Sequence, residues 1–228
     1  MHLGEEIVVS VAYFRAGYTP DDFPSEKEWE ARLLLERSTA VKAPSIAYHL
    51  CGTKRVQQVL TEPGMLERFF PESPEAVEKL RSGFAGIYDL DPNGKYQDKH
   101  KEASEHPERF VVKPQREGGG TLVFGNKIVD ALRDWDEDTL KSHILMERIN
   151  PVSSPNHLLM SGKITPQVQV IPEIGFFHAF LGTADDDQIL LNEALGYLVR
   201  TKPMDVEDGG VAAGRAALDS LYLFDLPE

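Results

Sequence analysis

Residues 110–120 read Phe-Val-Val-Lys-Pro-Gln-Arg-Glu-Gly-Gly-Gly, an apolar segment that carries one lysine and leads through a proline into three glycines. The pattern predicts a β-strand that ends in a glycine-rich turn. Because glycine lacks a Cβ, the backbone of such a turn can approach phosphate oxygens and present N–H donors to them. Lys113 would add positive charge, and Glu117 would bind the Mg²⁺ that accompanies a nucleotide. The stretch therefore indicates a nucleotide-phosphate site, with an ordinary strand-to-helix turn as the alternative interpretation.

The composition excludes several classes of protein. The chain has 228 residues, 41% hydrophobic and 27% charged, which is enough for one large domain or two small ones with cores. A net charge of −13 argues against a nucleic-acid-binding surface, because such a surface needs a basic stripe. The single cysteine, Cys51, excludes an internal disulfide and the usual structural zinc sites, and the apolar run at 7–14 is too short to span a bilayer. We therefore expect a cytoplasmic protein that contacts neither nucleic acid nor membrane.

Regular elements are predicted along most of the chain. Residues 7–14 are rich in β-branched and aromatic residues, which predicts a buried strand. Ser25 and Glu28 form a capping box that opens a helix to about Arg37. Further helices are predicted at 54–60, 65–70, 74–83 and 127–135, and further strands at 144–149, 167–171, 174–181 and 196–202. Residues 89–107 are polar and predict a solvated loop or a domain boundary.

The helix that begins after Ser25 has two predicted faces. Trp29 and Leu33 are spaced to share one side of it, as residues of an inward face do. Arg32 and Glu36 are predicted to form an exposed (i, i+4) ion pair.

Three predicted strand segments each carry one charged residue that could face inward against apolar neighbours, namely Lys113, Glu147 and Glu173. A surface-facing charge on an edge strand explains one such residue, but charged groups are seldom buried unless they are paired or ligated. Together with the glycine turn and the basic segment Arg200-Thr-Lys202, the three residues predict a cleft. There Lys113 and Lys202 would neutralise phosphates, and Glu117 would carry metal charge during a phosphoryl transfer.

Other catalytic motifs in the sequence are excluded. Residues 120–125 have the glycine spacing of a P-loop, but Asn126 stands where the lysine is required. The sequence contains no nucleophile-elbow or H-E-x-x-H pattern. Cys51 is interpreted as a small buried hydrophobe in preference to a nucleophile.

Seven segments of the chain, in order, share the sequence patterns of one known family. They are 15–20, 29–38, 52–58, 112–120, 145–149, 199–202 and 208–214. On these segments the chain resembles eukaryotic glutathione synthetase, from about residue 7 to the end. The resemblance implies an α+β fold of ATP-grasp type, in which mixed and antiparallel sheets are flanked by helices. It also implies that residues 1–60 belong to a substrate-binding α/β domain and that residues 61–228 form the nucleotide-binding region with its glycine-rich lid loops.

The resemblance implies a role for each of a set of residues. Those that would bind ATP are Lys54, Lys113, Gly118, Gly119, Gly120, Phe124, Met146, Glu147, Arg148, Ile149, Glu173, Lys202 and Asp208. Those that would hold the peptide substrate are Arg15, Ala16, Gly17, Tyr18, Arg200, Val211 and Ala212. Glu117 would be a magnesium ligand, and Arg200 and Lys113 would be the catalytic residues.

The implied reaction joins glycine to γ-glutamylcysteine with ATP and Mg²⁺, through an acyl phosphate on the cysteinyl carboxylate, in a homodimer. The chain departs from the family pattern at Thr121 and Leu122, where two asparagines are usual, and at Phe124, where tyrosine is usual. It also matches only about the carboxyl-terminal half of a family member, so we expect activity to require the other half. The alternative is a truncated paralogue that binds nucleotide or a glutathione-like peptide without ligation.

Overall fold

The computed structural model describes residues 2–3, 7–115, 121–183, 188–207 and 210–223. The chain divides into two compact units, Met1–Ile149 and Asn150–Glu228. The sequence-based boundary at residue 60 falls inside the first unit, and the assignment of residues 1–60 to a substrate-binding domain stays a prediction.

The first unit contains eight strands and seven α-helices among its described residues. In chain order they are β1 (His2–Leu3), β2 (Ile7–Val8), β3 (Val11–Tyr13), α1 (Glu26–Arg37), β4 (Val41–Ala43), α2 (Ile46–Cys51), α3 (Lys54–Leu60), α4 (Pro74–Ser82), β5 (Ile87–Asp89), α5 (Gln97–Glu105), β6 (Phe110–Pro114), β7 (Val123–Phe124), α6 (Asn126–Asp134), α7 (Glu137–Lys141) and β8 (His143–Glu147). Three 3-10 turns lie at Pro20–Asp22, Leu66–Arg68 and Pro107–Arg109.

The core of the first unit lies on one face of a four-stranded antiparallel sheet with the strand order β5-β8-β6-β7. Its buried side chains come from the sheet and from helices α5, α6 and α7, and they are Leu90, Ala103, Phe110, Val112, Ile128, Leu140 and Leu145. Val112 pairs with Leu145 and Lys113 with Ile144 in the register of β6 and β8. Because side chains alternate along a strand, this register places Val112 on the core face and Lys113 on the other face.

The amino-terminal part of the first unit is built around a small parallel pair. Strands β3 and β4 align Val11 with Val41 and Tyr13 with Ala43, and the Phe14 N–H donates to the Ala43 carbonyl at 2.9 Å. Helix α1 connects the two strands and begins with the predicted capping box, in which the Ser25 N–H donates to Glu28 at 2.9 Å.

The second unit is dominated by a long hairpin. Its strands are β9 (Ser154–Asn156), β10 (Leu159–Met160), β11 (Lys163–Ile164), β12 (Val168–Gly182), β13 (Ile189–Pro203) and β14 (Ala217–Asp219). β12 and β13 pair antiparallel, while β9 joins β12 and β14 joins β13 at the base of the hairpin. Leu158, Val170 and Ala217 form a small core against that base.

Most predicted elements are confirmed, and the exceptions have physical reasons. Residues 7–14 were expected to form one buried strand, but they form β2 and β3, and Val11 and Tyr13 are exposed because β3 has one short partner strand. Trp29 and Leu33 are also exposed. The prediction of a solvated loop at 89–107 is wrong where α5 forms. This polar helix contributes only Ala103 to the core.

Four further expectations need correction. The strands predicted at 167–171 and 174–181 form one strand, because Pro172 keeps an extended conformation opposite Thr201. The strand predicted at 196–202 begins seven residues earlier, at Ile189. The helix predicted at 65–70 is one 3-10 turn, and Cys51 is exposed at the end of α2.

Candidate functional site

Lys113 lies near the end of β6 on the sheet face opposite the main core. The strand register puts Met146 and Phe124 on the same face, since both pair with Val111, and the Lys113 side chain is half-buried there. Helix α3 packs against β5 and β8. This face therefore combines one cation, an aromatic ring and a thioether, the kinds of group that contact the phosphates and the base of a nucleotide.

The amino-terminal end of α3 is tied to the end of β6. Gln115 follows the strand, and its side-chain oxygen accepts a hydrogen bond from the Arg55 N–H at 2.7 Å. Arg55 in turn donates to Gln58 at 2.7 Å, and the Gln58 side chain is fully buried and donates to Glu62 at 2.9 Å. The chain of contacts brings Lys54, the first residue of α3, into the neighbourhood of the strand that carries Lys113.

Five of the predicted site residues, Glu117, Gly118, Gly119, Gly120 and Asp208, lie outside the described residues. Across the described ranges, no group of three or more His, Cys, Asp or Glu side chains is arranged to hold a metal ion.

Glu147 occupies the core side of the sheet, opposite to Lys113. It pairs with Phe110, and its carboxylate accepts a hydrogen bond from the Tyr88 hydroxyl at 2.7 Å. The Lys99 ammonium lies 3.8 Å from the same carboxylate and 2.9 Å from Glu102. Burial, and after it the hydrogen bond to Glu147, raise the pKa of Tyr88 to about 12. The expectation that the Glu147 and Lys113 side chains line one cleft is therefore wrong. Glu147 shares a face with its partner Phe110, and Phe110 is three residues from Lys113 in β6, so the two side chains lie on opposite faces of the sheet.

A cavity of about 510 Å³ adjoins the predicted peptide-binding segment. Its lining residues come from the loop after β3, from α2 and from the end of β6, and they are Tyr18, Thr19, Pro20, Asp21, Pro44, Tyr48, His49, Gly52, Thr53 and Gln115. Gln115 thus borders the cavity and also contacts the amino-terminal end of α3. We refer to this cavity as the Tyr18 pocket.

Local hydrogen bonds hold Tyr18 in the wall of its pocket. The Tyr18 hydroxyl donates to the Phe14 carbonyl at 2.9 Å, and the Tyr18 N–H donates to Asp22 at 3.0 Å. Gly17 has a φ of +89°, a value in the left-handed region that favours glycine. The edge of the Tyr18 ring meets His49 with the ring centroids 5.4 Å apart. Arg15 and Ala16 precede this closed turn and are exposed.

The second unit brings three of its predicted site residues to one face of the hairpin. Glu173 pairs with Arg200 in the strand register, and the two side chains form an ion pair. Lys202 is on the same face, opposite Ile171, and its ammonium donates to the Glu207 carbonyl at 2.9 Å. Val211 and Ala212 lie on the turn between β13 and β14, where the Gly214 N–H donates to the Val211 carbonyl at 3.0 Å.

The sequence analysis missed several residues of the Tyr18 pocket. Gln115 belongs to the motif that decides the fold, so its position directly after the strand was an available signal. Tyr48 and His49 had no such signal, because they belong to a short helix without a recognisable motif.

The chain matches the family model described as eukaryotic glutathione synthase, ATP binding domain, over residues 7–223. It is 48% identical to human glutathione synthetase over 96% of this chain and 45% of that protein, and 47% identical to chloroplastic glutathione synthetase of Arabidopsis thaliana over 94% and 39%. Among solved structures, a glutathione synthetase-like effector from Globodera pallida in its apo form superposes with a TM-score of 0.64, at 25% identity, over 86% of this chain and 40% of that chain. The chain therefore spans less than half the length of these relatives.

The structural neighbour agrees with the architecture of the chain. Antiparallel sheets flanked by helices, in a mixed α+β arrangement, form a fold of ATP-grasp type. Among the described residues, no helix is long and apolar enough to cross a membrane.

Proposed function

The chain belongs to the eukaryotic glutathione synthase family, and we propose that it forms the carboxyl-terminal, nucleotide-binding portion of a ligase that joins glycine to γ-glutamylcysteine. The observation that carries the proposal is the position of Lys113. It lies on the sheet face shared with Met146 and Phe124, beside the helix end that begins with Lys54. In a chain with a net charge of −13, such local cations are needed to hold a triphosphate.

In this proposal, ATP is bound through its phosphates and its base by different residues. Lys54, Lys113 and Lys202 would neutralise the phosphates, with backbone N–H groups of Gly118, Gly119 and Gly120 as additional donors. Phe124 and the segment from Met146 to Ile149 would contact the base, together with Glu173 and Asp208. The Glu147 carboxylate is engaged by Tyr88, so its contribution to base binding would come from its backbone.

Magnesium fits the chemistry of the same site. Glu117 offers one carboxylate, and Mg²⁺ in nucleotide sites is commonly held by one or two carboxylates together with phosphate oxygens and water. Bound there, the ion would compensate phosphate charge.

The proposed reaction has two steps, to which the residues of this chain contribute charge and position. The terminal phosphoryl group of ATP passes to the cysteinyl carboxylate of γ-glutamylcysteine, which yields ADP and an acyl phosphate. The glycine amine then attacks the acyl carbon, phosphate leaves, and the amine loses a proton. Lys113 and Arg200 would stabilise the negative charge that develops on the transferred group and on the acyl oxygen. Arg15, Ala16, Gly17 and Tyr18, with Val211 and Ala212, would hold the peptide.

We also propose that catalysis requires the remainder of the family fold and that it takes place in a cytoplasmic homodimer. Apolar side chains that a complete enzyme would cover are exposed in both units, among them Tyr13 and Leu34 in the first and Phe176 in the second. The chain also spans only 39 to 45% of the length of its relatives from Arabidopsis thaliana and human.

Nucleotide binding is tested by calorimetric titration of the chain with Mg·ATP. We expect Lys113→Ala to weaken binding at least tenfold, which corresponds to about 1.4 kcal/mol, because phosphate charge would be left uncompensated. Lys101→Ala is the matched control, since that lysine side chain is 77% exposed on α5 and should leave affinity unchanged. Equal affinities of the wild type and Lys113→Ala would contradict the proposed site.

The ligase reaction is tested by ADP release with γ-glutamylcysteine, glycine and Mg·ATP. We expect turnover only when the amino-terminal portion of a relative is supplied. Turnover by the chain alone would refute the requirement for the remainder of the fold. Nucleotide binding without turnover under both conditions would favour a paralogue that binds but does not ligate, consistent with Thr121 and Leu122.

A further inference from the structure

Arg32 is placed unlike an ordinary surface residue of an amphipathic helix. It belongs to α1, yet its side chain is only 8% exposed. Its guanidinium carbon lies 3.6 Å from the centroid of the Phe14 ring. Phe14 directly precedes the predicted peptide-binding segment, which begins at Arg15. A guanidinium withdrawn from water is costly unless its charge and its donors are satisfied, so its partners in this position are informative.

Glu36 neutralises the Arg32 charge, accepts hydrogen bonds from two Arg32 nitrogens and contacts a second element. One of its carboxylate oxygens accepts hydrogen bonds from Arg32 Nε at 3.1 Å and from the terminal Arg32 nitrogen at 2.7 Å. The same oxygen accepts the backbone N–H of Ile46 at 3.1 Å, and Ile46 is the first residue of α2. This ion pair thus contacts Phe14, directly after β3, through a cation–π interaction, and it joins α1 to the start of α2 through charge-assisted hydrogen bonds.

The elements joined by this pair are the two walls of the Tyr18 pocket. On one side, Phe14 accepts the hydrogen bond from the Tyr18 hydroxyl at 2.9 Å. On the other side, Tyr48 and His49 follow Ile46 within α2 and line the cavity. Among the described residues, the sheet that carries these segments is the parallel pair β3–β4, with three residues in each strand, and so small a sheet is weak alone.

We propose that Arg32 and Glu36 are positioning residues for the peptide substrate, because they hold two walls of the Tyr18 pocket, where γ-glutamylcysteine would bind, in a fixed relative position. The proposal rests on the proposed function for the identity of the peptide. The Lys113 face belongs to the sheet β5-β8-β6-β7, which has its own core, so the pair should influence peptide binding and leave nucleotide binding unchanged.

Substitutions in the pair separate these two effects. Arg32→Met keeps the length of the side chain and removes its charge and donors, and Glu36→Leu removes the shared acceptor. We expect each to weaken γ-glutamylcysteine binding at least tenfold and to change Mg·ATP binding less than twofold. Glu36→Gln retains an acceptor oxygen for these donors and should keep peptide affinity within about threefold of the wild type, because hydrogen bonds to a neutral acceptor remain.

Arg81→Met provides the matched control. Arg81 makes a two-pronged ion pair with Glu67 at 2.8 and 2.9 Å in the same unit, but neither residue lines the Tyr18 pocket. This variant loses an arginine–glutamate pair as well, and its peptide affinity should equal that of the wild type.

Hydrogen exchange measured by mass spectrometry tests the positioning role without any ligand. In Arg32→Met, exchange should accelerate at 14–19 and at 46–52 and stay unchanged in β6 and β8. Unchanged exchange in both walls, peptide affinity within twofold of the wild type, or a parallel loss of Mg·ATP affinity would each overturn the proposal. Accelerated exchange in a chain whose wild type binds no γ-glutamylcysteine would support the positioning role and overturn the proposed substrate. If Arg32→Met does not fold, Phe14→Leu removes the aromatic partner of Arg32 and should produce the same pattern.

Discussion

The strand pairs β6–β8 and β12–β13 bury their side chains to opposite degrees. Leu145 in β8 is fully buried, whereas Leu195 in β13 is 66% exposed. The first pair lies in the middle of a four-stranded sheet and is covered by helices that belong to the same unit. The second pair has neighbouring strands only at Val168–Val170 and Val199–Thr201 among the described residues. The difference shows that the first unit covers its own sheet, while most of the hairpin has no covering element among the described residues.

The hairpin of β12 and β13 is long for a sheet of two strands. Thirteen residue pairs join β12 and β13, from Val170–Pro203 to Gly182–Ile189. Two-stranded ribbons are marginally stable in water because they bury little apolar surface. Phe176 and Leu190 are exposed on this one, and a contiguous exposed apolar surface of this kind marks an interaction site.

The comparison is tested most strongly by one substitution made in both regions. We expect Leu145→Ala to lower the free energy of unfolding of the first unit by about 2–5 kcal/mol, because it opens a cavity in a packed core. Leu195→Ala should change the stability of the second unit by no more than about 0.5 kcal/mol, since the side chain has little to lose. Peptide-resolved hydrogen exchange measures each unit separately.

Equal costs for the two leucines would break the comparison. A large cost at Leu195 would mean that the hairpin is covered in solution, for example by a second copy of the chain. Analytical ultracentrifugation of the wild type would then distinguish a covered dimer from an exposed monomer.

The sequence was sufficient where local signals and tertiary packing agree. The capping box at Ser25, the strand at 110–114 and helix α6 all follow patterns that short segments carry. Lys113 was also placed correctly at the end of a strand, because an apolar run that meets a proline and glycines has few other interpretations.

The sequence was insufficient where a residue's environment comes from distant elements. Arg32 and Glu36 have the spacing of a surface ion pair, but Phe14 and Ile46 enclose them, and neither contact can be read from helical periodicity. The opposite directions of Lys113 and Glu147 depend on the register of β6 and β8, which a single sequence does not determine.

Helix α5 was missed for a related reason. Its only buried residue is Ala103, so it lacks an apolar stripe. Lys99 lies 3.8 Å from the Glu147 carboxylate of β8, and the His100 ring nitrogen lies 2.8 Å from the Asp89 carbonyl oxygen. A helix that is attached mainly through polar contacts resembles a loop in composition.

A second prediction concerns the base of the hairpin, where its packing is complete. Thr201 is fully buried, and its hydroxyl donates to Asp219 at 2.7 Å. Thr201→Val removes the donor at nearly constant volume and should cost the second unit about 1–3 kcal/mol, because a partly buried carboxylate loses a partner. Thr201→Ser keeps the hydroxyl and is the control. If hydrogen exchange in β13 and β14 of the Thr201→Val variant were as slow as in the wild type, the hydrogen bond from Thr201 to Asp219 would contribute less to stability than its burial implies.

The smallest expected effect compares one tyrosine from each region. Tyr88→Phe should cost the first unit about 1 kcal/mol at neutral pH through loss of the hydrogen bond to Glu147. Tyr197→Phe is the matched control, because that ring is 56% exposed on the hairpin, and its cost should stay within about 0.5 kcal/mol.

The pH dependence of the first unit tests whether burial, and after it the hydrogen bond to Glu147, keeps the Tyr88 phenol neutral in the fold. The pKa of Tyr88 is raised from 10.0 to about 12 in the fold, so the fold favours the neutral phenol. Its contribution to stability is therefore present below pH 10 and is lost as the pH rises towards 12. Lys99 has a pKa raised mainly by its hydrogen bond to Glu102, so its contribution falls in the same direction. The difference in the free energy of unfolding between the wild type and Tyr88→Phe isolates the phenol. This difference should fall as the pH increases from 9 to 12, because only the wild type has a phenol that ionises. A difference that stays constant over this range would show that the fold does not raise the pKa of Tyr88.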